Sequence, residues 1–580
     1  PDGAFDLVTG DEKKVAKYFK DINKKQRMGT TLDKWDEKAK PVYVQEFARL
    51  DNMEEDSAME VVNKCREYHK LKDTEELRRM KLEADAWTAA FFTPLVEMHT
   101  PVPTSGEVKR LGSQALLDDP MAKLVKEIAE KYMFFHWFLE FPDVFASGGF
   151  DVILGNPPWE RIKLQEKEFF AAKYPEIENA PNAAARRKAI KNLAQQAPDL
   201  WNRYLLEIRE SEALSKFLRI SGRYPLTGHG DINTYSVFSE SILNSLQPEG
   251  RAGFIVPSGI ATDYTNQDYF SCLMEKKQLV SLFDFENRER TLFPEVYYRM
   301  RFCLLTLTGI NRPANESEFV FFALGIEDLR DNKTRFKLSI EDLNLINPNT
   351  KTCPIFHSRQ DAELIKIIYK KIPVMMNENT PNMNQWKFSF FTMFHMTNDA
   401  ERFLTIKYLQ NSNYLLQGNV FRNDFDICLP LYEGRMINIF DHRHASAVSK
   451  EIKLQRSGAS RILTEAEKEK PESIALPRYW VNIKDVADAN SSFYSKKWII
   501  GYMDITSATN ARTAISAIIP LSGLGNTIIG LLLAHPVGEQ ACLLANFSCF
   551  VFDYICKQKV GQEDRKSTRL NPSHRLLSRM

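Results

Sequence analysis

The sequence predicts an α/β chain. Three observations predict it: a short apolar run that ends in an Asn-Pro-Pro-Trp loop, helical periodicity on both sides of that run, and an alternation of strands and turns farther on. Phe150-Asp151-Val152-Ile153-Leu154 reads as a strand of a parallel sheet, and Gly155 marks where the backbone turns out of it. Upstream, residues 1–140 are charged and helical in period, with Val44, Phe47 and Leu50, then Trp87, Phe91 and Leu95, at apolar spacings. Phe135 to Phe138 follow and are expected to pack toward the sheet. A helical excursion is expected from Lys163 to about Ser221. Gly230 to Tyr235 then lead a helix containing Phe238 and Leu243, and Gln247-Pro248-Glu249-Gly250-Arg251 reads as a turn into a strand from Ala252 to Val256. Leu279 to Phe285 reads as another strand. Residues 313–561 mix short strands and helices, so the chain divides into 1–140, 141–312, 313–561 and a tail at 562–580.

Composition sets broad limits. A chain of 580 residues with 43% hydrophobic residues can bury several cores. Its net charge of +1 says nothing about nucleic acid, but residues 161–223 carry 13 Lys and Arg against 8 Asp and Glu. That surplus is either a DNA-facing surface or a solvated helical face. The 8 cysteines are scattered without a Cys-x-x-Cys pair, and His442 and His444 around Arg443 make a weak ligand set, so no metal site is expected. Reduced, cytoplasmic thiols are the simplest reading. Thr513 to Gly538 carry no charge, yet Pro520, Gly523, Gly525 and Asn526 break the stretch into strands and turns, not a membrane span.

The loop after the first strand carries the chemistry. Asn156 offers a side-chain carbonyl, and the Pro157 carbonyl is held in a fixed direction because Pro158 restricts its neighbour. Two aimed acceptors match the two hydrogens of an exocyclic amino group, and the indole of Trp159 can lie flat against the ring that bears it. An adenine amino group is a poor nucleophile because its lone pair is delocalised. Two preorganised acceptors favour a pyramidal nitrogen whose lone pair is free. A base in a duplex must leave the stack to reach such a loop. The competing reading is a rigid Pro-Pro turn closing a strand.

FDVILGNPPW resembles the catalytic motif of amino-methyltransferases that act on DNA adenine, in the gamma-class order where target recognition follows catalysis. LQPEGRAGFIVPSG and LFPEVYYRMRFCLLTLTG (Leu292 to Gly309) resemble the helix, turn, strand and terminal hairpin that follow in that family. Farther on, LPLYEGRMINIFDHRHA, LPRYWV and ANFSCFVFDYICKQKVG are similar to the recognition half of large type II (IIG-like) restriction-modification methylases, so the likeness runs through most of residues 1–561. The resemblance implies a partial Rossmann-like class I methyltransferase sheet with helical insertions, followed by a mixed α+β target-recognition region at 313–561. It implies S-adenosylmethionine as cofactor, double-stranded DNA as partner, and further restriction or phage-defence subunits. It assigns catalysis to Asn156, Pro157, Pro158 and Trp159, with Asn156 also at the cofactor, and gives Phe302 a face of the flipped base, Tyr297 and Tyr298 being nearby competitors. Two other readings stay open: a DNA-binding fragment or specificity subunit without catalysis, and methylation of a protein glutamine.

The family's Gly-rich cofactor loop and the acidic strand end after it are not found ahead of Asn156, and Gly523-Leu524-Gly525-Asn526 lacks the acidic strand that a permuted order requires. PDGAFDLVTGDEKKVAKYFKDINK resembles the stretch after the family's third cofactor motif. The chain is therefore expected to start inside the catalytic domain and to be inactive alone. Its basic end, DRKSTRLNPSHRLLSRM, is unlike the family and is expected to be non-native.

Overall fold

The computed structural model describes the chain except residues 28–40, 114–118, 172–173, 179, 181–182, 291, 299, 381–385, 448–459, 471, 505, 507–509 and 560–580. The basic tail thus lies outside the described residues. The chain forms two compact units, Pro1–Ile340 and Glu341–Met580.

Helices lead the first unit, as the apolar spacings predict: α1 (Lys13–Arg27), α2 (Pro41–Asp51), α3 (Ala58–Lys72), α4 (Glu75–Ala89), α5 (Ser105–Ser113), α6 (Pro120–Lys131), α7 (Trp137–Glu140) and α8 (Pro142–Ala146). Ala86 and Ala89 give α4 a narrow face, on which Val15 and Phe19 of α1, Leu111 of α5 and Val125 of α6 close. Phe91 and Leu95 join this core from beyond the end of α4, so their helical spacing to Trp87 continues past the helix itself. His136 and Phe138 are buried among the helices. Trp137 reaches the sheet, where its ring meets Phe150 edge-on at 5.8 Å, as do Phe141 and Phe145 at 5.5 and 5.8 Å.

The sheet of this unit has the order β1-β2-β4-β3-β5-β6, with β1 (Phe150–Gly155), β2 (Leu246–Pro257), β3 (Leu279–Glu286), β4 (Arg301–Thr308), β5 (Ser317–Ala323) and β6 (Phe336–Leu338). β1 runs parallel to β2 and β3 parallel to β5, while β4 lies antiparallel between β2 and β3. This is a mixed α/β sheet with parallel and antiparallel pairs. The Gln247 to Arg251 turn is a break inside β2: Phe150 pairs with Leu246, yet Val152 pairs with Arg251. Gly148 and Gly149, both at positive φ, make the tight entry to β1. A Cβ on Gly149 would stand 2.4 Å from the Ser245 carbonyl oxygen. Because β5 and β6 join this sheet, the first unit runs on past residue 312 to Ile340.

Between β1 and β2 stands a helical arm, α9 (Glu166–Ala171), α10 (Pro175–Glu178), α11 (Ala183–Gln196) and α12 (Pro198–Ile220), with its own small core of Phe170, Ile177, Ile190, Leu193 and Tyr204. The helix predicted after Gly230 is α13 (Thr234–Asn244).

The second unit is mixed α+β. Strands Ser516–Pro520, Trp498–Met503, Ile528–Leu532 and Ser389–Phe391 form an antiparallel sheet in that order. Leu543, Phe547 and Cys556 of the two last helices complete its core. The uncharged stretch 513–538 supplies two of these strands, and no helix among the described residues is long and apolar enough to cross a membrane.

Candidate active site

The Asn156 loop leaves the carboxyl end of β1, the edge at which open α/β sheets hold ligands. It is pinned from one side by Thr234, the first residue of α13. The Thr234 hydroxyl donates to the Pro158 carbonyl at 2.7 Å and accepts from the Glu160 amide at 2.8 Å, while its own amide donates to the Glu160 carbonyl at 2.9 Å. Arg161 bridges to Asn233 directly after. Glu240, buried in the next turns of α13, accepts from the amides of Leu226 and Thr227 and from the Thr227 hydroxyl, and burial raises its carboxyl above the usual carboxylate range. The segment leading to Thr234 is thereby fixed to the helix that follows it.

Pro157 is buried, whereas Asn156 is exposed. Among the described residues neither the Asn156 side chain nor the Pro157 carbonyl has a hydrogen-bond partner, and Thr234 engages the next carbonyl along. Trp159 is half-buried: its indole N–H donates to the Ile255 carbonyl at 3.4 Å, and its ring packs on a cluster containing Phe285, Phe293 and Phe302. The loop and the aromatic wall are therefore brought together.

Phe302 occupies a different place from the one expected of a residue facing a flipped base. It is 3% exposed, stacked on Phe285 at 5.4 Å and met edge-on by Phe293 at 5.0 Å. Its register on β4, opposite Pro257 on one side and Phe285 on the other, turns it into the core. Tyr297 and Tyr298 are exposed in the loop between β3 and β4. Asn287 shapes that loop; its side-chain amide donates to the Phe293 and Val296 carbonyls at 2.9 and 3.1 Å. Phe293 and Thr234 are the residues that sequence reasoning passed over. The Leu292-Phe293-Pro294 run beside the hairpin and the Asn233-Thr234 helix start were the available signals.

At the same edge, Asp284 is fully buried and accepts from the Ser258 hydroxyl, from Arg301 at 2.7 Å and from the Phe322 amide at 2.9 Å. The Arg301 guanidinium lies 4.6 Å from the Phe322 ring centre, and Phe322 holds a left-handed φ of 63°. One carboxylate thus ties the ends of β2, β3, β4 and β5 together behind the aromatic wall. A cavity of about 990 Å³ opens beside the loop, lined among others by Trp159, Arg161, Lys163, Phe92 and Tyr132.

The donor site is a separate matter. β2 pairs with one edge of β1, and no strand lies against the other edge among the described residues. Val152 and Leu154 there are 63% and 79% exposed. S-Adenosylmethionine requires a Gly-rich turn and an acidic strand end next to such an edge, an arrangement analogous to dinucleotide folds. The described residues supply neither, so by themselves they do not fit this cofactor. Calorimetric titration of the chain with S-adenosylmethionine is expected to show no stoichiometric binding in the micromolar range. A one-to-one micromolar isotherm would contradict this. No group of three or more His, Cys, Asp or Glu able to hold a metal ion occurs among the described residues.

Thr234→Val is expected to keep the fold, since only hydroxyl contacts are lost, and to slow any reaction at the loop about tenfold through looser positioning. A thermal melt beside a rate measurement checks both halves. An unchanged rate would show that Thr234 holds nothing the chemistry needs.

Comparison with known proteins places the loop in context. No curated protein matches the chain. Among solved structures, the type IIG restriction endonuclease BpuSI aligns over 84% of this chain and 56% of its own at 12% identity, with a TM-score of 0.25. The ATP-dependent type ISP restriction-modification enzyme LlaBIII bound to DNA aligns over 77% of this chain and 29% of its own at 9% identity, with a TM-score of 0.26. The M protein of the type I restriction enzyme EcoKI aligns over 50% of this chain and 74% of its own at 11% identity, with a TM-score of 0.15. The chain thus spans little more than half the length of BpuSI. Residues 100–194, which include the whole Asn156 to Trp159 loop, match the family described as Eco57I restriction-modification methylase.

Proposed function

We propose that this chain carries the target-base side of a site-specific DNA methyltransferase of a restriction-modification or phage-defence system, acting on N6 of an adenine flipped out of double-stranded DNA. The observation that carries the reading is the exposed Asn156 next to an unengaged Pro157 carbonyl, on a loop fixed by Thr234 and walled by Trp159. The family match over residues 100–194 supports it.

In this reading the Asn156 side-chain carbonyl and the Pro157 carbonyl accept the two amino hydrogens, which draws the nitrogen out of conjugation and frees its lone pair. Trp159 offsets the lost stacking of the flipped base. Phe302 backs the wall, and the half-buried Phe293, which meets it edge-on, offers the second aromatic surface. S-Adenosylmethionine is the donor that the resemblance implies. Residues 341–559 are assigned to target recognition.

A non-catalytic role in DNA binding is the second reading, and the outer edge of β1, against which no strand lies among the described residues, favours it. Labelled donor, duplex DNA and a form of the protein that binds the donor separate the possibilities. Label in the DNA is expected. Duplex binding without label supports the second reading, and label only in protein supports glutamine methylation.

A further inference from the structure

Part of the basic surplus after the loop is taken up inside the fold, and part is exposed, on α11 and also at Arg161, Lys163, Lys167, Arg203 and Arg219. Arg209 pairs with Asp11 at 2.6 Å, Lys216 is buried and donates to the Asp6 carbonyl, and the Arg223 guanidinium lies 5.2 Å from the Trp87 ring centre. These cations serve packing. On α11 the pattern differs. From residue 179 to residue 198 the sequence holds Arg186, Arg187, Lys188 and Lys191 and no Asp or Glu.

Ile190 and Leu193 turn one side of α11 into the core of the arm, and Arg186 lies 4.0 Å from Glu166. Arg187, Lys188 and Lys191 are exposed and have no ion pair among the described residues. Asn192 and Gln195 are exposed on the same helix. The exposed acids of the arm, Glu168, Glu176, Asp199, Glu207 and Glu212, stand on α9, α10 and α12. A helix that concentrates uncompensated cations and amide side chains in a protein of net charge +1 has the donor set that contacts nucleic-acid phosphates.

The position of the arm fits that partner. Its root is tied to the catalytic loop: the Ser211 hydroxyl of α12 donates to the Ile162 carbonyl at 2.7 Å and accepts from the Leu164 amide at 3.1 Å. α11 packs near Leu200 and Tyr204, which precede Ser211 on α12. At 1.5 Å per helical residue this is about 10–17 Å from Ser211 along the axis. The span is about half of one turn of duplex, which is roughly 34 Å long.

We propose that α11 is a phosphate-binding helix that grips the DNA backbone beside the base held at Asn156. The inference rests on reading that loop as a DNA site. It names a contact that carries affinity but no sequence preference, so it acts on cognate and non-cognate duplexes alike.

The test is fluorescence anisotropy of the full chain with a labelled duplex of arbitrary sequence, in salt from about 50 to 200 mM. R187Q/K188Q/K191Q removes three exposed charges without touching the arm's core. It is expected to flatten the slope of log affinity against log salt by about 2–3, since each phosphate contact contributes close to 0.9, and to weaken low-salt binding tenfold or more. R49Q/R66Q/K70Q removes three charges from α2 and α3 as a control and is expected to leave the slope near wild type. An unchanged slope in the α11 variant, or an equal loss in the control, overturns the proposal while leaving the reading of the Asn156 loop intact. If the wild-type chain shows no salt-dependent duplex binding, the DNA reading itself falls and the proposal with it. Circular dichroism confirms that both variants keep their helices.

Discussion

Asn156→Ala is expected to lower methyl transfer to DNA by about 10²–10³-fold while leaving duplex affinity within about threefold. The side chain is exposed and has no hydrogen bond among the described residues, so its removal leaves the loop's own anchors in place. Pro158 and Glu160 still meet Thr234, and Pro157 stays buried. In the proposed function, what disappears is one of two acceptors for the amino group, an interaction that would strengthen as the nitrogen becomes pyramidal. The loss therefore falls on turnover and not on binding. The measurement needs turnover and affinity from one preparation, in a form of the protein that binds the donor. Turnover within a few-fold of wild type would remove Asn156 from the chemistry and leave the loop as a rigid turn closing β1.

Trp159→Ala is expected to weaken base flipping by about 5- to 150-fold, the equivalent of the roughly 1–3 kcal/mol that aromatic stacking contributes per base. Trp159→Phe is expected to keep most of it, because a flat π surface is retained. The substitutions also disturb packing, since the indole rests on the Phe285, Phe293 and Phe302 cluster and donates to Ile255. Comparing Ala with Phe separates the two effects: both lose the bond to Ile255, and only Ala loses the ring. Fluorescence of 2-aminopurine at the target position, read alongside a thermal melt, distinguishes a lost platform from a loosened core. If the Ala variant flips the base as well as wild type, Trp159 is packing alone.

The parts of the fold that were legible are those where one residue pattern answers to one local geometry. Leu279 to Phe285 is apolar enough to read as a strand, and β3 spans Leu279–Glu286. The excursion after Lys163 carries helical periods, and α9 to α12 occupy it. The Asn-Pro-Pro-Trp loop announces itself because proline restricts the backbone whatever the surroundings.

Misreadings arose where a distant partner decides the outcome. Gln247-Pro248-Glu249-Gly250 has the composition of a turn, yet it is a break within β2 because Phe150 and Val152 of β1 pair on either side of it. Phe302 follows Arg301 in a hairpin, the position to which the resemblance gives the base. Its burial depends on strand register against β2 and β3, which a single sequence does not display. The hold of Thr234 on the loop joins residues 74 positions apart, and Asp284 collects partners 17 to 38 positions away. The first unit runs on to Ile340 for the same reason, since β5 pairs with β3 although β4 intervenes in the chain. Chemistry that resides in one tetrapeptide can be read locally. The wall and anchors around it depend on tertiary contacts.

The most direct test of the central claim is the identity of the methylated nucleoside. Duplex DNA is treated with isotopically labelled S-adenosylmethionine and a donor-binding form of the protein, in parallel with its Asn156→Ala variant. The DNA is then digested to nucleosides and resolved by mass spectrometry. Labelled N6-methyl-2′-deoxyadenosine is expected from wild type, reduced by at least about a hundredfold in the variant. Label in N4-methyl-2′-deoxycytidine in place of the adenine product, or equal N6-methyl-2′-deoxyadenosine from both proteins, would contradict the reading.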